Sequence, residues 1–154
     1  RQKAKYGKKM NKLAEAYDIA ENESVETPPD SIVLYSISYL PERTNKEMAQ
    51  AYLQQHGECL TLDDTPCGKK LIALGLETGS GCPDSEILKV WAIASRRFIA
   101  AASGNITAFV TGADKRSTFV STELPHILQN PRLHLINGID KFIFARDFME
   151  DGTE

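Results

Sequence analysis

Between positions 84 and 102 apolar residues return at every helical turn: Ile87, Trp91, Ala94, Phe98 and Ala101/Ala102. Asp84 or Ser85 can cap this run, and Glu86 falls in its first turn, where an acid suits the helix dipole. The spacing predicts one long helix that buries a full stripe. A stripe of that length needs a second layer to pack on, so the other segments matter for what they supply. Residues 4–22 read as a helix with a partial apolar face (Ala4, Leu13, Ala14, Ala16, Tyr17, Ile19, Ala20), ended by an acidic stretch and the pair Pro28-Pro29. Ile32–Leu40 reads either as a strand or as the start of a buried helix, and Pro41 ends it. Thr44 and Glu47 form a capping box for a helix over 45–56, closed by Gly57. Thr65-Pro66 opens another, with Thr65 as N-cap, running to about Gly75. Residues 77–83 are loop.

After the break at Ser103-Gly104-Asn105 the pattern changes. Ile106–Thr111 reads as a strand, Gly112-Ala113-Asp114 as a turn and Phe119–Ser121 as a short extended piece. Glu123–Gln129 reads as one or two helical turns ended by Asn130-Pro131. Leu133–Ile136 and Lys141–Ala145 read as two strands around Asn137-Gly138. The expected architecture is one α/β unit with a helical subdomain wrapped against it. Its division is an N-terminal helix and acidic linker over 1–30, then a single domain over 31–154 with a helical half (31–103) and an α/β half (104–154). There is no internal repeat and no low-complexity stretch.

Of 154 residues 42% are hydrophobic and 25% charged, which is ordinary for a globular chain and argues against a disordered tail. The net charge of −3 argues against a general nucleic-acid binder. The charge is uneven: Arg1, Lys3, Lys5, Lys8, Lys9 and Lys12 precede Glu15, Asp18, Glu21, Glu23, Glu26 and Asp30. The bland reading is a solvated linker end and a charge-separated helix; the alternative is a nucleic-acid or membrane arm. No apolar run is long enough to span a membrane, and no secretory leader pattern opens the chain. It begins with Arg1 and not Met, as a piece of a longer protein would. Cys59, Cys67 and Cys82 are too few for a disulfide-built scaffold. One bridge, Cys67 to Cys82, is open to them. They share no metal-type spacing with His56, His126 and His134.

Four clusters carry candidate chemistry. Asp63 and Asp64 stand at the mouth of a helix, where the bland reading is capping and the functional one is a carboxylate at the rim of a cleft. Trp91 is the only tryptophan; it reads as core by periodicity. Ser95 lies one turn on along the same face, with Arg96 beside it, so an indole, a hydroxyl and a guanidinium together would suit a ligand with a flat ring and phosphates. The stretch 114–123, from Asp114-Lys115-Arg116 to Glu123, is basic and rich in hydroxyls, as a phosphate-holding turn would be. Glu123 reads as a surface acid or an acid in a first helical turn. Tyr35, in Ile32–Ser36, reads as core. Dinucleotide, P-loop, zinc-protease and nucleophile-elbow motifs are absent.

Two blocks then resemble the ADP-ribosyl cyclase / NAD glycohydrolase family: Trp91 with Ser95-Arg96-Arg97-Phe98, and Ser117-Thr118-Phe119 with Ser121 and Glu123. The family reads W-x-x-x-S-R-R-F and S-T-F-x-S-x-E. Leu62-Asp63-Asp64-Thr65 is similar to its T-L-E-D-T, and Cys82-Pro83-Asp84 and Ile32–Ser36 are weaker matches. The likeness spans about residues 32–124. It departs at Asp63, one methylene shorter than the family's Glu, at Tyr35 for a tryptophan, at Ile37 for an arginine, and in having few cysteines where the family is disulfide-rich.

The resemblance implies an ADP-ribosyl cyclase-like α/β fold, with a helical N-terminal subdomain packed on a small, largely parallel sheet with flanking helices. It implies NAD as substrate rather than cofactor, and cleavage of the nicotinamide–ribose bond. In that reading Glu123 serves the ribose hydroxyls and stabilises the sugar cation, Trp91 and Tyr35 sandwich the nicotinamide, and Asp63 bonds its carboxamide. Ser95 lies near the ribose; Ser36, Arg96, Thr118 and Phe119 (by its backbone N–H) meet the phosphates. No metal is required. Hydrolysis to ADP-ribose is the expected outcome, with cyclisation, ADP-ribosyl transfer or a non-catalytic nucleotide-binding domain as alternatives. The expected setting is the C-terminal toxin domain of a delivered bacterial effector. It would be secreted or carried at the cell surface, act in a target cell's cytoplasm, and be restrained by a cognate immunity protein over the cleft.

Overall fold

The computed structural model describes residues 2–36, 44–76, 84–113 and 117–151. Cys82, Ile37, Pro41, Asp114, Lys115, Arg116 and the 77–83 loop lie outside them. The order is α1 (Gln2–Asn22), β1 (Val33–Tyr35), α2 (Asn45–Gln55), a 3₁₀ turn (Leu62–Asp64), α3 (Pro66–Ala73), α4 (Asp84–Ala101), β2 (Gly104–Phe109), a π turn (Phe119–Glu123), α5 (Leu124–Gln129), β3 (Leu133–Ile136), β4 (Ile139–Asp140) and α6 (Lys141–Asp151). The strands form one sheet in the order β1-β2-β3-β4; the first three are parallel and β4 returns antiparallel. This is the mixed α/β architecture expected, with a small, mostly parallel sheet.

Local chemistry explains the elements. Thr44 caps α2 by accepting from Glu47 N at 3.1 Å. Thr65 caps α3 by accepting from Gly68 N at 3.1 Å, with Pro66 at the first position, where its missing N–H costs nothing. The described part of the ambiguous run at 32–40 resolves as a strand, Val33, Leu34 and Tyr35 pairing with Thr107, Ala108 and Phe109, while residues 37–40 lie outside the described residues. Of the predicted α4 stripe Ile87, Ala94, Phe98 and Ala102 are buried, joined by Val90 and Ile99, while Trp91 and Ala101 are half-buried. The helix packs on α1, on the π turn and on α5, and shares one core with Ala16, Ile19 and Ala20 of α1, Phe119, Ile127, Leu133 and Ile136.

Two expectations are corrected. Lys141–Ala145 is not a strand but the start of α6. Asp140 caps it, its carboxylate accepting from Phe142 N (3.1 Å) and Ile143 N (3.2 Å). Only Ile139-Asp140 returns beside β3, across a turn in which Asn137 and Gly138 both have positive φ (53° and 76°). Phe119–Ser121 is likewise not extended; it opens the π turn, where Leu124 N bonds Phe119 O. Cys67 is a buried free thiol whose sulfur reaches Ile19 O at 3.4 Å.

Candidate active site

β1 ends at Tyr35, with Ser36 next, on the carboxyl edge of the parallel strands, where open α/β sheets bind their ligands. The phenol of Tyr35 is half-buried, and its pKa is raised, first by burial and then by the negative charges of Asp63, Asp64 and Glu123. Three carboxylates from two turns, sixty residues apart in sequence, therefore act on one side chain. The 3₁₀ turn brings Asp63 and Asp64, and the π turn brings Glu123. Both turns pack on α4, the helix that carries Trp91 and Ser95.

The two neighbouring acids have different tasks. Asp64 forms the cap: Thr61 donates to its Oδ2 from the backbone N (3.0 Å) and from Oγ1 (3.2 Å). Asp63 takes no part in that box and is half-buried. Glu123 is 8% exposed, and no described group donates a hydrogen bond to it. Desolvation alone raises its pKa from 4.5 to about 7. A carboxyl in that state favours a cation or a hydroxyl donor arriving from outside.

Trp91 is half-buried, with its Nε1 donating to Leu76 O at 2.9 Å, so the indole is fixed by its edge. Ser95 and Ser36 are 6% and 7% exposed, and no described group bonds either hydroxyl. Ser36 is tied to β2 by its backbone N, which donates to Phe109 O at 3.0 Å. Phe119 is buried, its ring edge-on to Phe148 with centroids 5.5 Å apart, which leaves only its backbone to meet a ligand. Its N–H falls in the first turn of the helical segment, where such groups lack an intrahelical partner. Arg96 and Thr118 are exposed, and no described contact ties them to the cluster. Among the described residues no three His, Cys, Asp or Glu side chains gather as a metal site, and no helix is long and apolar enough to cross a membrane.

Ser117, named in sequence as part of the hydroxyl-rich block, organises the turn that bears Glu123, its Oγ accepting from Val120 N (3.2 Å) and its carbonyl from Ser121 N (2.9 Å). Asp64, which the sequence offers with Asp63 as a capping acid, is the cap, with Thr61 three residues before it. Sequence reasoning missed one contributor. The Leu76 carbonyl that holds Trp91 leaves no signal in sequence.

No protein-family profile matches the chain, and no curated protein matches it by sequence. Solved structures do. Porcine CD38 with a covalent intermediate, ribo-F-ribose-5'-phosphate, matches with TM-score 0.55 and 22% identity, over 82% of this chain and 67% of that one. ADP-ribosyl cyclase complexed with N1-cIDPR matches with TM-score 0.51 and 18% identity, over 71% and 48%. Aplysia cyclase complexed with substrate NGD and product cGDPR matches with TM-score 0.51 and 19% identity, again over 71% and 48%. The chain thus spans about half the length of these two cyclases. Its fold is that of the ADP-ribosyl cyclases.

Proposed function

We propose that the protein is an NAD⁺ glycohydrolase that cleaves the nicotinamide–ribose bond, with NAD as substrate and no cofactor. One observation carries the reading: the phenol of Tyr35 stands in the joint field of Asp63, Asp64 and Glu123, while α4, packed on both acid-bearing turns, holds Trp91 and Ser95. The similar structures add support, since one holds a ribosyl covalent intermediate and another the substrate NGD.

The chemistry suits these groups. Nicotinamide in NAD⁺ is a cationic leaving group, so the electron pair of the C–N bond departs onto it and it leaves neutral. The sugar left behind has oxocarbenium character. Ionised Glu123 stabilises that cation and the ribose hydroxyls, and losing such a preorganised contact costs about 10²–10³ in rate. Trp91 and Tyr35 flank the positively charged ring by stacking and cation–π attraction, and Asp63 accepts from its carboxamide. Ser95 serves the ribose, while Ser36, Arg96, Thr118 and the Phe119 N–H serve the pyrophosphate. Water then adds to the sugar and loses a proton, giving ADP-ribose, nicotinamide and H⁺. Asp63 is shorter than Glu, and Tyr35 smaller than tryptophan, so the pocket admits water, and hydrolysis is favoured over capture by the adenine ring.

Cys67 as a free buried thiol suits a reducing compartment. The setting we propose is a delivered bacterial effector that depletes NAD in a target cytoplasm, with an immunity protein over the cleft. The decisive experiment measures nicotinamide release, with product analysis, by the wild type and Glu123→Gln. The expected result is ADP-ribose as main product and a loss of about 10²–10³ in the variant. Absence of nicotinamide release by the wild type sinks the reading, and cyclic ADP-ribose as main product sinks the hydrolytic part. Growth arrest on cytoplasmic expression, relieved by Glu123→Gln, tests the setting; unimpaired growth with normal NAD overturns it.

A further inference from the structure

We infer that Gly68 is a positioning residue for Asp63: its bare Cα is the seat on which the acid-bearing 62–64 turn rests against α3. This rests on the role proposed above for Asp63. A Cβ built on Gly68 would lie 2.7 Å from Asp63 Cα and 2.8 Å from Leu62 C, and closer still to Leu62 O. All three are backbone atoms, so no side chain can swing away to make room. Even a methyl group forces the turn off the helix by about 1 Å, the step needed to restore ordinary carbon–carbon contact.

The rest of the turn cannot absorb that step locally, because it is bonded on both flanks of Asp63. On one side Asp64 is held by Thr61, through the two bonds of the capping box and through Asp64 N to Thr61 O at 3.1 Å. On the other, Leu62 O accepts from Thr65 Oγ1 (2.7 Å) and Thr65 N (3.1 Å). Thr65 Oγ1 in turn accepts from Gly68 N. Gly68 is thus both the last donor of this knot and the surface the knot sits on. The turn also packs on α4, the helix that carries Trp91 and Ser95, so displacement from α3 disturbs that contact as well. Asp63 then moves as a unit with its backbone.

A misplacement of about 1 Å in a reacting geometry costs up to about 10²-fold. Gly68→Ala is expected to lower kcat for nicotinamide release by about 10–10²-fold, with KM within about threefold. A double-mutant cycle separates positioning from general packing damage. In an Asp63→Asn background the same substitution should lower kcat by less than about threefold. A wild-type kcat in Gly68→Ala, or an equal loss in the Asp63→Asn background, overturns the inference.

A second readout needs no substrate. Asp63 helps to raise the Tyr35 phenol pKa, so Gly68→Ala should shift the Tyr35 ultraviolet titration, isolated by difference against Tyr35→Phe, in the direction that Asp63→Asn shifts it. If the wild type releases no nicotinamide, the proposed function fails, and this titration alone decides the positioning: a shift supports it, an unchanged titration overturns it. Should Gly68→Ala not fold, Thr65→Val removes the hydroxyl that links Leu62 O to Gly68 N, and the same pattern is expected from it, with its absence counting against the inference.

Discussion

Glu123 shows at the level of one residue how a site opposes the fold that contains it. A carboxyl raised from 4.5 to about 7 by burial is harder to ionise folded than unfolded. The protonated form carries no such penalty, so the destabilisation this one carboxyl contributes is absent below pH 4.5, grows as pH rises from 4.5 to about 7, and is constant above that. The shift corresponds to about 3 kcal/mol. Glu123→Gln cannot ionise; relative to wild type it should therefore gain about 3 kcal/mol between pH 4 and pH 8, read by urea denaturation at both. An unchanged difference would mean that the carboxyl is not desolvated. The same titration governs activity with the opposite sign. Only the anion stabilises a sugar cation, so kcat/KM should rise with pH to a midpoint near 7. A cationic substrate beside the carboxyl favours its ionised form, and the midpoint in kcat should lie lower than that in kcat/KM. Coincident midpoints would argue that Glu123 does not face the cationic ring.

The π turn is where an element, rather than a residue, aims the acid. Pro125 sits just after it and has no N–H; in a regular helix its ring would collide with the Ser121 carbonyl four residues back. The ladder widens ahead of it, with Leu124 N reaching Phe119 O, and the ring of His126 approaches Thr122 O at 2.7 Å. Such single wide turns inside helices recur at functional sites. Pro125→Ala restores the donor and removes the collision, so the segment can tighten to α spacing and rotate Glu123 away. The expected outcome is a kcat lowered by about 10-fold or more with a denaturation midpoint equal to or above wild type; retained kcat would show that packing, not Pro125, holds the turn.

This element also marks the limit of legibility. Thr44, Thr65 and the α4 stripe announced their helices, because caps and periodicity are local signals. The block from Ser117 to Glu123 announced the acid through its resemblance, but its turn type depends on Pro125 and on Phe119 packing against Phe148, which no short window shows. Lys141–Ala145 was misread for a related reason. A short apolar run has no decisive period, and the deciding group was the Asp140 carboxylate just ahead of it. The Tyr35 environment was least visible of all, since it arises from turns that meet only in three dimensions.

In the whole molecule, the helical scaffold and the site use different faces of α4. Trp91 and Ser95 belong to the side described above, whereas Arg97 closes the far end of α1, donating to Ala20 O (2.6 Å) and Glu23 O (2.9 Å). Carbonyls at a helix C-terminus have no internal partners, and a cation there also suits the dipole. Val25 and the buried face of α1 follow this anchor into the core. If the two faces are energetically separate, removing the anchor should loosen the fold and spare the chemistry. Arg97→Met keeps the apolar stem and removes both charge-assisted bonds. For a half-buried group the cost is about 2 kcal/mol, or roughly 4–8 °C in Tm for a chain of this size. At 25 °C kcat/KM for nicotinamide release should stay within about twofold, because the variant remains folded there. A parallel collapse of kcat/KM below the melting transition would mean that α1 does more than brace α4, and that the position of Trp91 is set from the end of the N-terminal helix.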